Sequence, residues 1–260
     1  MQDCLEQLTI TPFLKEIANA ANFLGHETYI VGGFVRDLLI AQNHNATTND
    51  QHDLDLVINT NAIDFVHQFQ KYYEDNHPQH LSFEIIEEHK QFGTIKIKHP
   101  EYEGFKIEMA STRKEEYESP AAYPKIQIIN DIEEDLIRRD FTINALLLSL
   151  NKKTFGEIID HVGALNDLEK KQIKVFHDQS FKDDPTRIIR AIRFAAQFDF
   201  DLEPKTRELL LKARQDQQFE QWQSERHKTF KIEREKLKGL NNEAQKRAID
   251  LLIEFNLPSI

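Results

Sequence analysis

The sequence predicts an α+β fold over about residues 1–150, a mixed and mostly antiparallel sheet with helices, followed by an α-helical part over about residues 151–260. Three observations carry this. Tyr29–Ile40 reads YIVGGFVRDLLI: a β-type run, two glycines, then an amphipathic run, hence strand, tight turn and helix. His52–Ile58 (HDLDLVI), Leu81–Ile86, Phe92–Lys98 and Phe105–Met109 alternate or carry β-type residues, the mark of strands. From Asp183 onward apolar residues recur at helical spacing instead.

The elements follow in order. Thr11-Pro12 is a helix start, with Phe13, Leu14, Ile17, Ala18 and Ala21 on one face and Gly25 as the stop. After the glycine turn and its helix, Asn43–Gln51 is polar and reads as a loop. Ile63, Val66, Phe69 and Tyr73 define a further helix, broken at Asn76-His77-Pro78. Ser111–Asn130 is proline-bearing and mixed in charge, so it reads as a long loop. Phe155–Phe176 reads as short strand, turn at Gly163, helix and strand. Asp183–Phe198 is a helix with Pro185 in its first turn, and Pro204–Leu211 starts another. Gln215–Gln223 is glutamine-rich and reads as a surface connection. A basic helix and a last amphipathic helix over Ala244–Phe255 close the chain.

Bulk properties bound the function. The chain has 260 residues, 40% hydrophobic and 30% charged, which suits a globular protein of one large or two small domains. No apolar run reaches membrane-spanning length, and the start lacks a signal pattern. The lone cysteine, Cys4, excludes an internal disulfide and fits a reducing, cytoplasmic location. Eleven histidines are scattered; His77 and His80 come nearest to ligand spacing and read as loop. A net charge of −11 argues against indiscriminate nucleic-acid binding. Local basic faces at Arg187–Arg193 and Arg226–Lys238 still leave RNA binding open.

Chemistry concentrates at four places. Gly32 and Gly33 precede a helix, a geometry that brings free backbone N–H groups to a phosphate. Asp53 and Asp55 stand two apart in a strand and so share a face, while Leu54 and Leu56 point into a core. Paired carboxylates beside a phosphate suit Mg²⁺, and two such ions can clamp the attacking and leaving oxygens of a phosphoryl transfer. Arg138, Arg139, Asp140 and Asn144 form a polar knot before an apolar run. Asp184, Arg187, Arg190 and, roughly, Arg193 recur at steps of three, a charged stripe on one side of a helix. Three arginines against one carboxylate repel one another unless an anion sits nearby, which favours a bound phosphate or RNA.

GGFVRD followed by DLDLVI resembles the opening motif of the class II tRNA nucleotidyltransferases and bacterial poly(A) polymerases, of the polymerase-β-like nucleotidyltransferase superfamily. RRDFTINAL matches the second motif of that family, GALNDL its third, and DDPTR stands where the family has Glu-Asp-x-x-Arg. The resemblance implies a catalytic head over residues 1–150 and a helical neck over 151–260. It implies template-independent transfer of CMP and/or AMP from CTP or ATP to the 3′ end of tRNA, with Mg²⁺ on Asp53 and Asp55. Gly33, Arg36 and Arg139 would bind the triphosphate, Arg139 and Asn144 reaching sugar and triphosphate, with Asp140 a ribose or structural contact. Asp184 and Arg187 would read the base edge, and Arg190 and Arg193 would contact phosphate. Glu108 is either a third catalytic carboxylate, as an acidic residue near this position in the family suggests, or an outward strand residue. Within Ser111–Asn130 the RKEEYESPAAYP run resembles a flexible loop of one subgroup, with Arg113 its notable residue. Asp183 replaces the family's glutamate, one methylene shorter. Either Glu225-Arg226 or Glu233-Arg234 is the equivalent of a family Glu-Arg-x-x-x-Glu-Leu helix. CC addition, A addition, CCA addition, poly(A) synthesis and an idle RNA- or nucleotide-binding module all remain open on these motifs. The family continues into further helical domains that grip tRNA, and those are expected to be missing here.

Overall fold

The structure is a computed structural model that describes residues 5, 8–44, 52–79 and 81–258, excepting the side chains of 42–44 and 52. Cys4, His80 and residues 45–51 of the expected polar loop lie outside the described residues; Asn43 and His44 extend the preceding helix. The chain divides into two compact units. The first comprises residues 1–114, 126–138 and 144–162; the second comprises 115–125, 139–143 and 163–260. This interleaving is finer than a single cut after Leu150.

The first unit is built on a seven-stranded sheet of order β3-β4-β5-β2-β1-β8-β9. Its strands are β1 (Thr28–Val31), β2 (His52–Ile58), β3 (Glu84–His89), β4 (Thr94–Lys98), β5 (Phe105–Ser111), β8 (Leu147–Ser149) and β9 (Ile158–Ile159). The β2–β5 pair is parallel and the other pairings are antiparallel. All four residues of β1 are buried, as a strand covered on both faces requires. β3 starts three residues later than its alternation suggests. It is the edge strand, almost wholly exposed, and its Glu84, Glu87 and Glu88 suit an edge that must not pair further. Phe83, just before it, supplies the buried anchor.

Helix α1 (Thr11–Phe23) buries the face read from its spacing. Helix α2 (Gly33–His44) follows the glycine turn, and α3 (Ala62–Asn76) is capped by the Asn61 side chain, which accepts from the Ile63 and Asp64 N–H groups at 3.0 and 3.3 Å. Phe13 from α1 meets Tyr73 edge-on at 5.7 Å, and Phe69 stacks on Phe83 at 5.1 Å. The buried Tyr73 hydroxyl finds a partner in His99 Nε2 at 3.1 Å.

The stretch read as a long loop is not wholly irregular. It carries a two-stranded sheet, β6 (Arg113–Glu116) with β7 (Lys125–Ile128). β6 (RKEE) is wholly charged, so no apolar alternation announced it, and the short KIQI alternation of β7 stood inside a proline-bearing stretch. The short helix α4 (Ile132–Ile137) begins at Asp131, whose carboxylate accepts from the Glu134 N–H at 3.0 Å. The RRDFTINAL run then passes through a 3₁₀ turn (Thr142–Asn144) into β8.

The second unit is mainly helical. Gly163, at φ +77°, opens α5 (Ala164–Glu169), and β10 (Gln172–Ile173) pairs in parallel with β11 (Asp201–Leu202). Helices α6 (Ser180–Asp183), α7 (Thr186–Phe198), α8 (Pro204–Gln215), α9 (Phe219–Glu225), α10 (His227–Lys238) and α11 (Asn242–Glu254) complete it. α7 is its spine, buried on most of its surface. The glutamine-rich stretch is helical rather than a surface connection: Phe219 and Trp222, two aromatics among the glutamines, are buried and fold it as α9.

The aromatic cluster sets a stability test. Phe69 is 1% exposed and Phe23 is 84% exposed. Phe69→Ala is expected to destabilise the protein by about 3–5 kcal/mol, and Phe23→Ala by under about 0.5 kcal/mol. Urea unfolding followed by circular dichroism measures both.

Candidate functional site

In the first unit, residues of three sequence motifs, GGFVRD, DLDLVI and, through Asn144, RRDFTINAL, meet around one turn. Alternation on β2 buries Leu54 and Leu56 and leaves Asp53 and Asp55 exposed together. Asp55 lies opposite Val31 on β1 and opposite Glu108 on β5. Gly32 comes next after Val31, at φ +83°, a region that residues with a Cβ seldom enter. A Cβ there would stand 3.3 Å from Asp55 Oδ2. Gly32 therefore keeps open both the turn and the space beside the second carboxylate.

Arg36 lies on the next turn of α2 and is buried. Its Nη2 comes so close to Gly33 that a Cβ on that glycine would meet it at 3.3 Å. Nε donates to Asp37 Oδ1 at 2.8 Å, and Nη1 donates to Asn144 Oδ1. Arg36 and Asn144 are 108 residues apart in sequence and form one hydrogen-bonded pair. The structure thus places Arg36 as the tie between the glycine turn and the RRDFTINAL segment.

Glu108 faces Asp55 in register but forms an ion pair with Lys96 Nζ at 3.3 Å. Burial pulls the Lys96 ammonium down, and Glu108, Glu87 and Asp53 more than offset it, holding the lysine above its ordinary value. Among the described residues no group of three or more His, Cys, Asp or Glu side chains gathers to hold a metal. Asp53 and Asp55 are the carboxylates exposed beside the open side at Gly32. That suits a hard divalent cation taking its remaining ligands from phosphate and water. Glu108 thus stands beside Asp55 on the neighbouring strand, paired with a lysine. Arg113 is anchored: its Nη1 donates to the Phe92 carbonyl at 2.7 Å and its N–H to the buried Asp135 at 3.0 Å.

The second unit holds the remaining motif residues. Arg139 is half-buried at its start. Asp140 Oδ1 accepts from the Phe141 N–H at 2.8 Å, and Oδ2 accepts from Arg190 Nε at 2.8 Å. Asp184 Oδ1 accepts from both the N–H and the hydroxyl of Thr186, at 3.0 and 2.6 Å, which fixes the start of α7. Arg187 is buried and donates from Nη1 to Ser180 Oγ at 2.7 Å. Asp183, the residue that departs from the family pattern, pairs with His177 at 3.7 Å; burial raises its carboxyl against the opposing pull of His177 and Arg187.

The arginine stripe on α7 is not a solvated face awaiting an anion. Arg190 Nη1 reaches Glu233 Oε1 at 3.3 Å, and Arg193 Nε reaches Glu233 Oε2 at 3.0 Å. Asp140 and Glu233 supply the counter-charge from within the protein, so mutual repulsion of the arginines is no argument for a ligand. Glu233 is 3% exposed. Burial alone would raise its carboxyl, but Arg190, Lys236 and Arg193 hold it below the usual carboxylate range. Sequence reasoning named Glu225-Arg226 and Glu233-Arg234 as alternatives for one motif without a structural role for Glu233 or Arg226, and both of these residues are buried. The signal for Glu233 was present: Phe230, Glu233 and Leu237 are the buried residues of α10, which puts a carboxylate on the apolar stripe.

Known proteins share the fold and much of the sequence. A family model described as "Poly A polymerase head domain" matches residues 28–174. An A-adding tRNA nucleotidyltransferase of Aquifex aeolicus is 40% identical over 186 residues, 71% of this chain and 20% of that protein. A CCA-adding enzyme of Bacillus pumilus is 34% identical over 191 residues, 72% of this chain and 41% of that protein. Among solved structures, the Thermotoga maritima CCA-adding enzyme complexed with tRNA superposes with a TM-score of 0.74 at 30% identity, covering 97% of this chain and 53% of the other. The chain spans about a fifth to two fifths of these curated relatives and about half of that structure. A mixed sheet that presents a D-x-D pair beside a glycine turn has the form of a nucleotidyltransferase head. The chain belongs to the poly(A) polymerase head domain family.

The Glu233 cluster predicts a pH-dependent stability. Glu233→Ala is expected to cost about 3 kcal/mol at pH 7, because it strips the shared partner from two arginines. The Glu233 carboxyl is lowered from 4.5 in the fold, so its contribution is complete above that value and lost as pH falls through the lower folded one. The gap in urea midpoint between wild type and Glu233→Gln should therefore narrow below pH 4.5.

Proposed function

We propose that the chain is the catalytic part of a template-independent RNA nucleotidyltransferase, adding CMP and/or AMP from CTP or ATP to the 3′ end of tRNA and releasing pyrophosphate. The observation that carries it is the Asp53–Asp55 pair, exposed on one face of β2 and bordered by the side-chain-free Gly32. The names of the relatives support the substrate class. Such a reaction would run in the cytoplasm; among the described residues no helix is long and apolar enough to cross a membrane.

In this reading Asp53 and Asp55 hold Mg²⁺. When bound, the metal lowers the pKa of the attacking 3′-hydroxyl and balances charge on the triphosphate. The turn at Gly32 and Gly33 offers backbone N–H groups at the start of α2, and Arg36 with Asn144 keeps that turn in place. Arg139 contributes guanidinium donors to phosphate oxygens. Asp184 uses Oδ1 to start α7, which leaves Oδ2 for an exocyclic amino group of the base. Arg187, steadied by Ser180, donates to ring nitrogen or carbonyl. Arg190 and Arg193 act one step back, bracing α7 through Asp140 and Glu233.

The test is incorporation of labelled CTP and ATP, separately and together, into tRNA that ends at its discriminator base. Transfer of C, A or both is the expected result. Asp53→Ala should fall to about a thousandth of the wild-type rate or lower, a loss of about 4 kcal/mol in transition-state stabilisation, with an unchanged circular dichroism spectrum. Turnover retained in that variant refutes the metal assignment.

A further inference from the structure

One row of the sheet in the first unit carries charge across four neighbouring strands. Glu87 on β3 lies opposite Lys96 on β4, Lys96 opposite Glu108 on β5, and Glu108 opposite Asp55 on β2. Residues opposed in this way present their side chains on the same face. Asp53 stands opposite Lys106, an opposite charge, but Asp55 stands opposite a carboxylate. Like charges directly opposed are destabilising, so a third charge is needed to offset them. Lys96 supplies it from the far side of Glu108, with Nζ 3.3 Å from Glu108 Oε2.

The same lysine has a second partner. The register between β3 and β4 shifts between Ile85 and Glu87. An unbroken ladder from the Ile85–Ile97 pair would set Ile86 opposite Lys96; the irregularity sets Glu87 there instead, with Oε2 4.0 Å from Nζ. Lys96 is thus held between two carboxylates. It can give up Glu108 to a cation of higher charge while Glu87 still faces it, so the exchange strands no lysine.

We propose that Lys96 is a positioning residue: it competes with the divalent cation for Glu108, and so sets how tightly the Asp53–Asp55 pair takes that cation. The proposal rests on the reading of that pair as the Mg²⁺ site given above. Lys96 itself acts only through Glu108. A site kept weak in this way fills mainly when a triphosphate brings further oxygen ligands with the cation.

Mn²⁺ alone is the probe, a cation that takes the same oxygen ligands as Mg²⁺ and whose free form is counted by electron paramagnetic resonance without turnover. Lys96→Met keeps the apolar stem and drops the charge; it is expected to bind Mn²⁺ about tenfold more tightly than wild type, with Lys96→Arg within about twofold of wild type. The Mg²⁺ concentration for half-maximal incorporation should fall in Lys96→Met by a similar factor. In Glu108→Gln the lysine has no carboxylate to withhold, so adding Lys96→Met there should change Mn²⁺ affinity by under about twofold. A merely structural lysine would alter the unfolding temperature and leave Mn²⁺ binding unmoved. Unchanged affinity in Lys96→Met overturns the proposal. So does an equal gain with and without Glu108, which marks a lysine that repels the cation directly. Lys96→Gln decides the same question if Lys96→Met fails to fold. Asp53→Ala tests the reading beneath. Mn²⁺ binding that survives Asp53→Ala overturns the metal assignment, and the proposal with it. Binding lost in Asp53→Ala but unmoved in Lys96→Met overturns the role of Lys96 alone.

Discussion

A single missing Cβ controls the first unit's site. At Gly32 the chain must turn through a positive φ and pass within contact distance of the Asp55 carboxylate, so any other side chain there would strain the backbone and crowd the acid at once. Everything around that point is arranged to keep it. β1 is paired on both sides and buried throughout, which fixes where the turn begins. Arg36 reaches from the following helix to Asn144, which fixes where it ends. The pleat of β2, whose apolar residues anchor it in the core, then presents the two acids on one face.

The second unit solves a different problem. It brings Arg190 and Arg193 together on one buried helix and neutralises them with two carboxylates from distant parts of the chain, Asp140 and Glu233. Buried ion pairs of this kind contribute modestly to net stability, because desolvation offsets most of the attraction, but removing one member is costly. The cluster therefore specifies how α7, α10 and the Asp140 segment sit together more than it strengthens them. A rigid α7 is what holds Asp184 and Arg187 at its first turn.

The parts of this protein that were legible in sequence are those where side-chain chemistry and periodicity coincide. The strand, glycine turn and helix, the inward leucines of β2 and the helix from Pro185 were readable because alternation, glycine and helical spacing are local signals. β6 was hidden because its four residues are all charged, β7 because its alternation lasts only four residues in a proline-bearing stretch, and α9 because two aromatics do the work of a whole apolar stripe. The arginine stripe was read correctly as a stripe and wrongly as one lacking counter-charge, since Asp140 and Glu233 lie 50 and 43 residues from Arg190 and distance in sequence conceals them. Glu108 shows the same limit in reverse: its neighbour Lys96 is set by strand register, which no local pattern reveals.

The parallel pairing of β2 with β5 has a consequence for how such a site can change. Side chains on a strand alternate, so a slip of one residue between these strands would turn Asp53 and Asp55 into the core and send Leu54 and Leu56 to solvent. That error is prohibitively expensive, so the placement of the acids is quantised: the strand either presents both or does not form. Changes in the connections that flank the sheet can accumulate without moving the two carboxylates by fractions of an ångström. In the proposed reading, chemistry and substrate choice are in this way free to vary separately, the first locked to the pleat of a strand and the second carried by a helical unit with its own core.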